Sequence, residues 1–251
     1  LRSPLPQITP HLRLGMRWPE GLKALRFRNF RLFFFGQFIS LIGTWMQTTA
    51  RQWLVYRLTG SQAKLGAVTF ASFIPVFLFS LFFGVLVDRL PRRRLLIGTQ
   101  SAFMILAAIL ALITIAGVVR YEHILIISFL FGMVNALDMP ARQAFYVDMV
   151  DRPSLLNAIA LNSSVFNGAR IIGPAIGGLI VARFGEGTAF AGNALSYLAV
   201  IAVLLMMRLP PSDDPPSSEG NWSQLRRGLA YLIHDRRALG LVGMVAVFSL
   251  V

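Results

Sequence analysis

The chain contains no cysteine. That excludes a disulfide framework and any thiolate metal site. Charge is also scarce: Asp, Glu, Lys and Arg make up 14% of the residues, against roughly 25% in soluble domains. The three histidines, His11, His123 and His234, are scattered, and no H-E-x-x-H occurs, which argues against a zinc hydrolase. No G-x-x-x-x-G-K-S/T occurs either, so the chain carries no nucleotide-binding loop of that type. What fills the sequence instead is apolar: 55% hydrophobic residues and a mean hydropathy of +0.64. This reads as an all-α membrane protein, not a soluble domain and not an enzyme.

The net charge of +13 suggests nucleic acid at first sight. The placement of the basic residues speaks against that partner. They sit at the ends of apolar runs, as they do on the cytoplasmic side of membrane proteins.

A spanning helix needs about 20 apolar residues. Six segments qualify, near 32–54, 65–87, 95–119, 124–150, 155–183 and 188–207. They form a bundle over 29–208, preceded by a cytoplasmic tail over 1–28 whose first 18 residues read as mostly disordered. A Pro- and Ser-rich linker with an amphipathic stretch follows over 209–237, and a seventh run begins over 238–251, too short to span. With the N-terminus inside, 17 of the 24 Lys and Arg fall on the cytoplasmic side, four outside and three within apolar runs. That bias orients the bundle.

Polar residues inside lipid are costly and face a cavity or another helix. In the first helix, Gln37, Ser40, Thr44, Gln47 and Arg51 recur at steps of three and four, on one face. Ser128, Asn135, Asp138 and Arg142 do so in the fourth, and Ser163, Asn167 and Arg170 in the fifth. The third and sixth helices are almost wholly apolar over 104–113 and 198–206. The expectation is therefore that helices one, four and five line a wet cavity and that three and six face lipid. The plainer reading is that the stripes hold helices together.

Asp138 is the one acid clearly within the apolar runs. Arg142, four residues on, is its natural partner, and Arg170 lies at a similar depth. The pair reads either as a static lock or as a protonatable switch, because burial disfavours a charged carboxylate and a nearby cation favours it.

Two further signals remain. Gly173, Pro174, Gly177 and Gly178, with Ala169 before them, mark a helix suited to close packing and a bend. The dense knot of charge at Gly84, Asp88, Arg89, Arg92 and Arg93 divides two apolar runs. Gly84 there permits close contact, and Asp88 suits a helix end.

At these residues the chain resembles the N-terminal half of a major facilitator superfamily transporter. The hinge pattern G-x-L-x-D-R-x-G-R-R/K-x-x-L is met by Gly84, Leu86, Asp88, Arg89, Arg92, Arg93 and Leu96, and departs from it at Pro91. The antiporter pattern small-x-x-x-G-P-x-x-G-G is met by Ala169, Gly173, Pro174, Gly177 and Gly178. Segments 27–31, 36–40, 140–145 and 157–162 are similar to the enterobactin-exporter and macrolide-efflux branch. The resemblance implies two six-helix halves around a central cavity, rocking between inward- and outward-open states. It implies a proton-coupled exporter of a small amphipathic drug or siderophore in a bacterial inner membrane, without a cofactor. Protons, the bilayer and a missing second half are then its partners.

On this reading Asp138 is the proton-coupling group. Gln37, Ser40, Thr44, Gln47, Arg51, Asn135, Arg142, Asn167 and Arg170 line the cavity. Asp88, Arg89 and Arg92 latch the cytoplasmic gate. Two rivals stand beside it. The membrane part of an ATP-driven exporter would send long helices into the cytoplasm, and the connections at 88–94 and 150–154 are too short for that. A non-transporting fragment or assembly partner is the alternative.

Overall fold

The structure, a computed structural model, describes residues 19–87 and 90–208. Most of the tail, Asp88, Arg89, the linker and the seventh run lie outside the described residues. Six α-helices follow one another: α1 (Arg28–Thr59), α2 (Gln62–Val87), α3 (Arg92–Ile115), α4 (Tyr121–Met149), α5 (Leu155–Phe184) and α6 (Glu186–Met206). There is no strand among the described residues.

The helices stop where the sequence supplies a stop. Gly60 takes the left-handed conformation (φ 58°) and donates its N–H to Tyr56 O at 2.8 Å, closing α1. Gly185 (φ 82°) alone separates α5 from α6 and lets the chain reverse. Pro91 (φ −59°) stands just before α3, where its missing N–H costs nothing.

Five of the helical segments are long and apolar enough to cross a membrane: Gln62–Ser80, Arg92–Ile115, Tyr121–Met149, Arg152–Phe184 and Glu186–Met206. Helix α1 is not among them, although it is the longest. Its buried face carries Gln37, Ser40 and Gln47, and these lower its hydropathy.

The helices pair closely. α1 lies against α5 and α6, α2 against α4, and α3 between α4 and α6. Small residues set the closest approaches. A Cβ on Gly132 of α4 would meet Ser72 O of α2, and one on Gly43 of α1 would meet Ser196 Oγ of α6. At one end of the bundle, Phe30 and Phe33 meet Phe145 and Tyr146 in edge-on ring contacts, Phe33 and Phe145 centred 5.8 Å apart.

One expectation needs correction. Helices α3 and α6 do not simply face lipid: each buries a polar face, with Thr99 and Gln100 on α3 and Asn193 and Ser196 on α6. Ile105, Ile109 and Leu112 of α3 and Leu195, Leu198 and Leu205 of α6 form their outward faces. The described end of the tail packs on the bundle. Glu20–Arg26 forms a 3₁₀ turn seated on α5, with Ala24 N–H donating to Asn157 Oδ1 at 2.8 Å and Ala24 buried. Asn157 Nδ2 in turn donates to Gly21 O at 2.8 Å.

Candidate functional site

The carboxylate of Asp138 sits in the interior of α4 and is 2% exposed. Three side chains converge on it. Thr99 Oγ1 (2.6 Å) and Gln100 Nε2 (2.8 Å), neighbours on α3, both donate to Oδ1. Arg142 donates to Oδ2 through Nε (3.1 Å) and also through Nη2. The anion is thus fully hydrogen-bonded and neutralised by one guanidinium, the condition under which a buried charge survives. Arg142 is the partner, one turn along the same face. Arg170 is not: it lies exposed on α5, its guanidinium 5.7 Å from the Trp45 ring centroid.

The polar face of α1 meets a second network. Gln47 Oε1 accepts from Asn193 Nδ2 of α6 at 2.8 Å. Thr44 Oγ1 lies 3.3 Å from Tyr197 Oη, and Asn193 Nδ2 reaches the same hydroxyl at 3.4 Å. Ser196 Oγ donates to Asn193 O at 2.8 Å. Tyr197 is stacked on Phe103 of α3, centroids 5.5 Å apart. Further along α1, Arg51 Nη1 donates to Ser128 Oγ of α4 at 3.2 Å.

These partners place Thr44, Gln47 and Arg51 between helices, and burial places Gln37 and Ser40 inside the bundle with them. Gln37, Ser40 and Gln47 are 3–4% exposed. Asn135 and Asn167 are exposed, and Asn167 Nδ2 bonds only its own helix at Ser163 O, 2.9 Å away. The structure therefore does not bring Asn135, Asn167 or Arg170 to the Asp138 centre.

The arginine hinge grips helix ends. Arg92 Nη1 pairs with Asp148 Oδ1 at 2.7 Å near the end of α4. Arg93 donates through Nε to Leu204 O (2.6 Å) and through Nη2 to Leu205 O (2.9 Å), at the last turn of α6. Cations there satisfy free carbonyls and complement the helix dipole. Gly84 makes no close approach among the described residues: a Cβ there would meet nothing within 4 Å.

The glycines of α5 divide by face. A Cβ on Gly173 would meet Trp45 Cβ and Ile42 O of α1, and one on Gly177 would meet Met46 O at 3.0 Å. Ala169 is fully buried on the same row and Pro174 lies beside it, half-buried. Gly178 faces open space.

Sequence reading overlooked Thr99, Gln100, Asn193, Ser196 and Tyr197. A signal was present for α6: residues 193, 196 and 197 stand at helical spacing on one face. Glu186 was also missed. It is 7% exposed and binds Arg57 of α1 at the opposite end of the bundle from the arginine hinge.

Comparison with known proteins adds a family match and three relatives. Residues 20–250 match the model of a family described as transmembrane secretion effector, within the major facilitator superfamily. The staphyloferrin A transporter of Staphylococcus aureus is 33% identical over 71% of this chain and 45% of its own length. Macrolide efflux protein A of Streptococcus pyogenes is 24% identical over 89% of this chain and 57% of its own. The multidrug efflux pump Tap of Mycolicibacterium fortuitum is 28% identical over 81% and 52%. The chain spans about half the length of the curated relatives it matches.

Proposed function

Because the chain belongs to the transmembrane secretion effector family of the major facilitator superfamily, we propose that it forms one half of a secondary exporter for a small amphipathic drug or siderophore. It is an integral membrane protein, and the relatives that resemble it are named for siderophore transport, macrolide efflux and multidrug efflux. Transport needs a second half of similar build, and the two halves rock about a central site. The charge bias supports a cytoplasmic N-terminus and arginine hinge, in a bacterial inner membrane on this reading. There Arg92 and Arg93, joined by Asp88 and Arg89, latch the cytoplasmic gate.

The observation that carries the reading is the Asp138 centre. A carboxylate with one counter-cation, held by donors from two helices, couples protonation to helix position. Protonation removes the charge that orders Arg142 and frees α4 to shift against α3. The completeness of the same network favours a second reading, a static lock between α3 and α4.

The test is Asp138→Asn in cells that depend on the intact exporter. The amide keeps the shape and an acceptor for Thr99 and Gln100, but it cannot lose or gain the proton. Loss of pH-driven efflux with normal amounts of folded protein supports coupling. Undiminished pH-driven efflux with a lowered melting temperature supports the lock.

A further inference from the structure

Two buried polar atoms lack a partner in the protein at one place: Gln37 Oε1 on α1 and Tyr146 Oη on α4. Gln37 is 3% and Tyr146 5% exposed. Both line the same partly open cavity of about 10 Å³, with Phe30, Phe33 and Phe34 of α1 and Asn162 and Val165 of α5. An orphaned buried donor or acceptor costs about 1–3 kcal/mol, and two beside one void are rare in native proteins. A void of that size admits one water, which needs two to four polar partners. Gln37, Tyr146 and Asn162 supply them. A water both donates and accepts, so it satisfies either orientation of the Gln37 amide and either direction of the hydroxyl.

We infer that an ordered water occupies the junction of α1, α4 and α5, bridging Gln37 Oε1 and Tyr146 Oη. Its position gives it a specific role. Tyr146 follows Asp138 and Arg142 on the buried face of α4, one turn beyond Arg142. Gln37 begins the polar face of α1 that runs on to Thr44 and Gln47. Among the described residues no hydrogen bond between protein groups joins these two polar series at this end of the bundle; the water does. It also places a removable contact beside the aromatic packing of Phe33 on Phe145 and Tyr146.

Radiolytic hydroxyl labelling of the full chain in lipid nanodiscs tests the site, because a buried ring is labelled only where a bound water is cleaved beside it. Tyr197 is the internal control: it is 3% exposed, like Tyr146, but its hydroxyl is held by Thr44 and Asn193. The expected result is several-fold faster labelling of Tyr146 than of Tyr197. Equal or slower labelling of Tyr146 overturns the water. Gln37→Leu tests the bridge: Tyr146 labelling falls toward the Tyr197 rate if Gln37 holds the water. If it stays at the unsubstituted rate in the folded variant, the bridge is wrong. Should that variant not fold, the comparison of the two tyrosines in the unsubstituted chain still decides occupancy.

Discussion

Glu186, the first residue of α6, holds Arg57 near the end of α1 in a two-pronged grip, Arg57 Nε to Oε1 at 2.8 Å and Nη2 to Oε2 at 3.1 Å. The pair is lopsided. The Glu186 side chain is 8% exposed and that of Arg57 is 55% exposed. Removing either partner therefore has unequal consequences. Arg57→Ala strands a buried carboxylate and lowers stability by about 3 kcal/mol. Glu186→Ala leaves a guanidinium that water can solvate and costs about 1 kcal/mol. Thermal unfolding of the two variants in nanodiscs checks the order, and equal losses refute it.

Thr99 offers a graded probe of the Asp138 centre. Thr99→Val keeps shape but leaves Oδ1 with Gln100 alone. A hydrogen bond to a charged group is worth about 1.5–3 kcal/mol, so the variant loses about 2 kcal/mol. Ser101→Ala, which removes only a bond to Ile97 O on the same helix, stays within about 0.5 kcal/mol. Denaturation midpoints of both variants, measured side by side, test the contrast.

The glycines of α5 give opposite responses. Gly173→Ala forces a methyl into Trp45 and the backbone of α1, and overpacking of that kind costs about 1–3 kcal/mol. Gly178→Ala meets open space and leaves the stability of this chain within about 0.5 kcal/mol. Melting temperatures of the two variants decide the matter, and a Gly178 effect as large as that of Gly173 defeats it.

The docked 3₁₀ turn is sensitive to acid. Hydrogen bonds from Ser154, and then the Arg26 guanidinium, hold the Asp151 carboxyl below its ordinary range. Arg26 Nη2 reaches Asp151 Oδ2 at 2.7 Å. A depressed carboxyl stabilises the fold above the unfolded value of about 3.9 and ceases to do so as pH falls through the lower folded value. The protection factor of the Ala24 amide in hydrogen exchange therefore falls in that acid window in the native chain. In Asp151→Asn it is already lower at neutral pH and does not fall further across the window.

The apolar runs made the helices legible, since length and hydropathy respond to the bilayer directly. Asp138 with Arg142 was legible for the same local reason: four residues of one helix set their distance. The partners across helices were not. Thr99 and Gln100 are ordinary residues in α3, and only the packing of α3 on α4 turns them toward Asp138. Arg170 looked equivalent to Arg142 in depth, but it stands on the exposed face of α5, and depth alone carries no azimuth. The α6 face at Asn193, Ser196 and Tyr197 was hidden by the apolar stretch that follows it. Averaged hydropathy masks three polar residues on one side of a helix.

The polar face of α1 bears on how the protein is made. The cross-helix partner of Thr44 lies far downstream: Tyr197 is 153 positions later. At ribosomal speeds of 5–20 residues per second that separation is roughly 8–30 s. During that interval α1 has left the ribosome with the Gln47 amide unmatched, although Thr44, Thr48 and Thr49 already bond carbonyls of their own helix. Its lateral release from the insertion machinery is therefore tied to the arrival of α6. The first helix of this bundle is among the last to be seated.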